Sequence, residues 1–235
     1  MSSEPSSQYY KVGVLLIPGG DILDFAGPIE VLTHVSHNRN PDSPDRIFEI
    51  KTIASSPMIC AANTLTVQAD ILLPDAIERI SEFHILVIPG GPPSVLQPLI
   101  NGDAPEVHLI RKFAALPADT SSGPRILFSV CTGAYLLGAA AVLAGMTVTT
   151  HHRGLDVLRD ICARFNSPGG PPTTVTHKRY IDSGLLSGGG VQLITAGGVS
   201  SGLDATCYIV SQLATNDMAA FVARVMEYNW LELKE

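Results

Sequence analysis

Cys131 stands where a nucleophile belongs. The segment from Arg125 to Ala140, Arg-Ile-Leu-Phe-Ser-Val-Cys-Thr-Gly-Ala-Tyr-Leu-Leu-Gly-Ala-Ala, reads as a buried strand running straight into a helix, with a thiol at the corner. Residues 126–130 form a short, mostly apolar run suited to a strand covered on both faces, and residues 135–143 are rich in Ala and Leu and continue as a helix. A side chain on so sharp a turn stands clear of the backbone, as in a nucleophile elbow. It also faces the positive end of the helix that follows, which favours thiolate. Gly133 permits the tight backbone. A thiolate so placed attacks an electrophilic carbon and carries it through a covalent intermediate. Without those surroundings the same residue would be small apolar filler in a core.

Three further sets of residues can serve such a nucleophile. Asp24, in Leu23-Asp-Phe-Ala-Gly-Pro28, is a carboxyl among apolar neighbours at the start of a helix. It suits a proton shuttle beside the thiol and equally a helix cap; burial would raise its pKa and helix amides would lower it, so both uses stay open. Pro89-Gly90-Gly91-Pro92 follows an apolar strand, and its glycines let backbone amides point at negative charge developing on substrate. Thr132 adds an amide and a hydroxyl; a tight turn is the plain alternative for Gly90 and Gly91. Thr149-Thr150-His151-His152 closes another strand, and either histidine could orient substrate, act as a base or simply hydrogen-bond the structure. Metal binding is not expected there, because consecutive histidines on a strand point to opposite faces and no third ligand is clustered with them.

These groups meet only if the surrounding elements bring them together. The patterning predicts strands over 11–17, 48–54, 85–88, 125–130, 146–150 and 191–195, and helices over 22–35, 106–116, 132–144, 154–165, 199–213 and 217–230. Pro28 is expected in an early helical turn, where proline is tolerated. Short strands at 58–60 and 65–68 suggest a side hairpin, and 174–182 a further strand or hairpin. Segments 36–46, 118–124 and 166–172 read as loops, and the glycine-rich insertion 184–190 as a mobile one. Strands alternating with helices imply an α/β protein with a mostly parallel sheet, right-handed crossovers and both faces covered. Its ligand then lies beyond the carboxyl ends of the strands, where Cys131, Gly90-Gly91 and the turn after Ile17 all fall.

The chain's 235 residues, 46% hydrophobic and 16% charged, suit a flexible tail over 1–9 and one domain with a sizeable core over 10–235. A net charge of −7 without any basic stripe argues against nucleic acid as a partner. No apolar run reaches the roughly 18 residues of a membrane span, and the polar start resembles no secretory signal, so a cytoplasmic location is expected. Cys60, Cys131, Cys162 and Cys207 lack zinc-ligand spacing and are not expected to form disulfides. All but Cys131 read as core or partly buried filler.

Taken together, Ser129-Val-Cys-Thr-Gly-Ala, Leu23-Asp-Phe-Ala-Gly-Pro, Ile88-Pro-Gly-Gly and Thr149-Thr-His resemble the ThiJ/PfpI superfamily over nearly the whole chain. The Cys-Thr-Gly elbow with Asp-x-x-Gly-Pro, and the later Thr195-Ala-Gly-Gly-Val-Ser-Ser-Gly-Leu-Asp204, resemble its isocyanide hydratase branch. The resemblance implies a flavodoxin-like α/β sandwich that forms a homodimer, needs no cofactor and acts on a small molecule. It implies Cys131 as nucleophile, Asp24 as the carboxylate that stands where many relatives carry Glu, Thr132 as a polar neighbour, and the Gly91 and Thr132 amides as oxyanion donors. The implied reaction is attack of Cys131 on the terminal carbon of an isocyanide, with water resolving a thioimidate to an N-substituted formamide.

Two departures stand out. The hydratase-like pattern continues Thr-Thr-His with Trp where this chain has His152, and the connection between Tyr180 and Gln192 is longer than usual, so its glycines form a lid or a surface loop. A related lyase or hydratase acting on a reactive carbonyl or secondary metabolite is an alternative, as is a cysteine redox sensor. A peptidase is disfavoured, since superfamily peptidases place His directly after the cysteine and Thr132 stands there. Sensor domains of transcription regulators share these signatures but continue into a DNA-binding domain, whereas this chain stops at Glu235.

Overall fold

The structure is a computed structural model and describes residues 8–118 and 125–230. The expected tail lies mostly outside the described residues, as does most of the loop over 118–124. Strands buried on both faces should be continuous apolar runs, and the central ones are. β1 (Tyr10–Leu15) leads into α1 (Ile22–Thr33), and β2 (Phe48–Ala54) follows. A hairpin of β3 (Met58–Ala61) and β4 (Leu65–Gln68) stands apart as its own antiparallel pair before β5 (Ile71–Leu72) and α2 (Leu73–Glu78). β6 (Ile85–Ile88), α3 (Pro93–Asn101) and α4 (Pro105–Ala114) come next, then β7 (Arg125–Ser129) and α5 (Ala134–Ala139).

The second half begins with β8 (Thr147–Val148), α6 (Leu155–Phe165) and β9 (Thr174–Val175). It ends with β10 (Tyr180–Leu185), β11 (Val191–Ala196), α7 (Ser201–Leu213) and α8 (Asn216–Val225). The seven-stranded sheet runs β10-β11-β7-β6-β1-β2-β5, parallel throughout except for the β10 edge. Alternation along the strands splits the core in two: Leu86, Ile88 and Leu127 face one side with α3, α4 and α5, while Ile85, Val87 and Phe128 face the other with α1 and α7. The expected flavodoxin-like α/β sandwich is the observed fold.

Several expectations are corrected. The strand foreseen over 146–150 shrinks to β8, which pairs with β9 and not with the main sheet. The helix foreseen over 132–144 is a 3₁₀ turn at Cys131–Gly133 followed by the short α5. Pro28 is the seventh residue of α1, beyond the early turn, and cannot donate to the Asp24 carbonyl.

The glycine-rich insertion 184–190 is the turn of the β10–β11 hairpin. The Leu186 N–H donates to the Val191 carbonyl (2.8 Å) and the Gly189 N–H to the Leu186 carbonyl (2.9 Å). Because β11 runs parallel to β7 with Val191 beside Arg125, this turn lies at the amino ends of the strands. It is at the opposite end of the sheet from Cys131 and is no lid.

Candidate active site

In the strand order the chain leaves β1 toward β2 and later returns on the other side through β6 and β7, so the connections after β1 and β6 diverge from adjacent strands. Such a switch point leaves a crevice at the carboxyl ends. Asp21 and Asp24 enter it from the start of α1, Gly90 and Gly91 from the end of β6, and Cys131 from the end of β7.

Cys131 has φ +57°, a left-handed conformation that costs a non-glycine residue on the order of 1–3 kcal/mol and persists only where its surroundings enforce it. The enforcement is visible. The Cys131 N–H donates to the Gly197 carbonyl (2.9 Å), its carbonyl accepts the Thr150 hydroxyl (2.8 Å), and the preceding Val130 N–H donates to the Ile88 carbonyl (3.0 Å). Thr150, fully buried, is therefore the member of Thr149-Thr150-His151-His152 that touches the elbow. The sequence gives Thr150 no role and leaves the histidines open as orienting, basic or structural groups.

The thiol is 3% exposed, and burial pushes it up to about 11; the Asp24 charge raises it further, while the Val199 and Thr132 amides pull it down. Burial therefore opposes the thiolate that the helix terminus favours. Desolvation of the buried sulfur outweighs two facing amides.

Asp24 is fully buried. Its Oδ2 accepts the Gly90 N–H (3.1 Å), while Oδ1 meets no N–H or O–H donor. Burial raises its pKa to about 7; the Gly90 amide opposes this, Asp21 adds to it, and the Cys131 thiol opposes it. Asp24 faces the thiol and does not cap its helix. A second carboxylate, unforeseen from sequence, completes the cluster: oxygens of Asp21 and Asp24 and the Cys131 sulfur all lie within 4.8 Å of one another. Among the described residues this is the one His, Cys, Asp and Glu group spaced like metal ligands.

The Gly90 and Gly91 amides, expected as oxyanion donors, both have acceptors within the protein. The Gly90 amide is given to Asp24, and the Gly91 amide to the Thr132 hydroxyl (2.9 Å), which in turn donates to the Gly91 carbonyl (2.8 Å). Their glycine identity follows from close approach: a Cβ on Gly90 would sit 2.5 Å from the Thr132 hydroxyl. The amides facing the sulfur belong to Thr132 and to Val199, at the tight turn before α7.

A cavity of about 440 Å³ opens over Cys131, walled by Asp21, Pro92, Thr132, Tyr135, His151 and Arg153 among others. His151 is partly buried and its Nδ1 accepts the Arg153 N–H (3.3 Å); burial, with His152 and Arg153 close by, lowers its pKa. His152 is exposed and lines, with His177 and Lys178, an adjoining cleft of about 960 Å³ that shares His151 with the Cys131 cavity; it is not among the walls of the Cys131 cavity itself. The cysteines are free, but Cys60, expected to be filler, is exposed on β3.

The α/β fold is the one seen in solved ThiJ/PfpI proteins. A solved ThiJ/PfpI family protein from Pseudomonas syringae superposes with a TM-score of 0.71 at 19% identity, covering 100% of this chain and 81% of that one. No family model matches the chain. In sequence it is 27% identical over 220 residues to the isonitrile hydratase of Pseudomonas putida, covering 93% of this chain and 78% of the relative. A Streptomyces lividans protein, described as an uncharacterized protein in the cpoL 5′ region, is 32% identical over 157 residues, 65% of this chain and 95% of its own length. The chain is a homologue of isonitrile hydratase and has the fold of solved ThiJ/PfpI proteins. No helix among the described residues is long and apolar enough to cross a membrane.

Proposed function

We propose that this protein is a cofactor-independent hydratase that converts isocyanides to N-substituted formamides through a covalent bond to Cys131. The observation that carries the proposal is the buried pair: a thiol on a strained elbow at the base of a cavity, with the Oδ1 of a fully buried Asp24, which meets no N–H or O–H donor, beside it. With Asp24 near 7 and the thiol near 11, the sulfur is not charged in advance but loses its proton as it attacks. Asp24 accepts that proton and delivers it to the isocyanide carbon, which is then bonded to hydrogen, nitrogen and sulfur. The Thr132 and Val199 amides face the negative charge that builds on sulfur. A cavity of about 440 Å³ suits a small substrate. The relationship to isonitrile hydratase supports the choice of electrophile.

The test is turnover of a small alkyl isocyanide followed by NMR detection of the formamide. Cys131→Ala is expected to abolish it, and mass spectrometry of the wild type during turnover is expected to place the adduct on Cys131. Formamide production by the Cys131→Ala variant at the wild-type rate would remove the basis of the proposal.

A further inference from the structure

Asp21 occupies the N-cap position of α1, yet its side chain makes no capping hydrogen bond. An aspartate at that position ordinarily accepts an amide of the first turn, a bond typically worth about 1 kcal/mol. Its main-chain N–H is tied to the Gly90 carbonyl (3.1 Å), which fixes the backbone beside the site. The carboxylate itself is partly exposed, lines the Cys131 cavity and lies within 4.8 Å of both the sulfur and an Asp24 oxygen. Two carboxylates thus flank one thiol, and they differ in access: Asp24 is sealed from solvent, with one oxygen held by Gly90, whereas Asp21 is partly exposed and lines the cavity.

From this division of access we infer that Asp21 is a second catalytic carboxylate, the base that activates the water resolving the Cys131 adduct. The inference rests on the hydratase reading above. Once the carbon is held as a thioimidate, the water oxygen bonds to it and a water proton passes to Asp21. The C=N π pair takes that proton onto nitrogen, leaving a tetrahedral carbon that bears OH, NH, H and sulfur. Collapse forms C=O as the C–S bond breaks with its electron pair on sulfur, and the hydroxyl proton passes through Asp24 to the sulfur. The sum is isocyanide plus water to formamide, with Cys131 returned as thiol. The other candidate for this base is His151, whose Nδ1 is occupied by the Arg153 amide.

The experiment compares wild type, Asp21→Asn, Asp21→Glu and His151→Gln by rapid-quench mass spectrometry with a small isocyanide, alongside steady-state turnover. Asp21→Asn should form the Cys131 adduct as fast as wild type but accumulate it, with kcat lower by a factor of about 10²–10⁴, the range for a positioned acid or base. Asp21→Glu should restore part of the turnover, separating lost chemistry from lost folding. Wild-type turnover by Asp21→Asn without accumulated adduct, loss of activity with no adduct formed, or accumulation in His151→Gln instead would each overturn the role of Asp21. If wild type itself yields neither adduct nor formamide, the hydratase reading falls, and this inference with it.

Discussion

At the scale of single residues, reactivity follows from burial before it follows from helix dipoles. Cys60 is exposed, whereas Cys131, Cys162 and Cys207 are buried and all have raised pKa values, about 11 for Cys131 and about 12 for Cys207. In mass-mapped iodoacetamide labelling at neutral pH, Cys60 should be alkylated first and Cys131 more slowly, at a rate that climbs as the pH is raised. Cys162 and Cys207 should react only on unfolding. Faster labelling of Cys131 than of Cys60 at neutral pH would mean that its sulfur is charged at rest. Cys131 and Asp24 were legible in the sequence because an elbow and a helix start are local patterns. The uses of Gly90 and Gly91 were not, since what captures their amides, Asp24 and the Thr132 hydroxyl, comes from other elements. Asp21 stayed hidden for the opposite reason: an aspartate three residues before another at a helix start looks like a cap.

Elements were legible in proportion to how completely they are buried. β1, β6, β7 and β11 read correctly because strands covered on both faces by helices are largely apolar runs, and β2, which carries Glu49, Lys51 and Thr52 and is only partly buried, was legible as well. α3 did not: Pro92, Pro93 and Pro98 resemble loop punctuation, although Pro93 opens the helix and Pro98 is accommodated within it. The sheet position of the 184–190 turn was beyond local pattern, since it depends on β10 pairing antiparallel at the edge while β11 joins β7 in parallel. That position has a testable consequence. Gly188 has φ +118°, a conformation side chains rarely adopt, with nothing within 4 Å of a would-be Cβ. Gly188→Ala should therefore cost about 1–2 kcal/mol in urea unfolding while leaving kcat/KM within about twofold of wild type. A large change in kcat/KM at unchanged stability would put this turn at the site after all.

For the molecule as a whole, the sealed carboxyl sets stability against function. The native Asp24 holds its proton up to about pH 7, whereas the ordinary value is 3.8. Folding therefore takes up a proton between those values, and by linkage stability falls as pH rises across that window. The full cost is reached above pH 7, where an uncompensated charge is buried, and is on the order of 4 kcal/mol. Asp24→Asn carries no charge and keeps an acceptor for the Gly90 amide, so it should unfold at a higher urea concentration than wild type at about pH 8 and at nearly the same concentration at about pH 4. Its hydratase activity should move the other way, falling by a factor of about 10²–10⁴, because the group that cycles the thiol proton is gone. Wild-type activity should itself rise as the pH passes through about 7 and Asp24 becomes the carboxylate that accepts the Cys131 proton. The protein is thus expected to be most competent where it is least stable. Equal urea midpoints for wild type and Asp24→Asn at both pH values would show that no charge is confined beside Cys131 and would separate the position of Asp24 from its proposed chemistry.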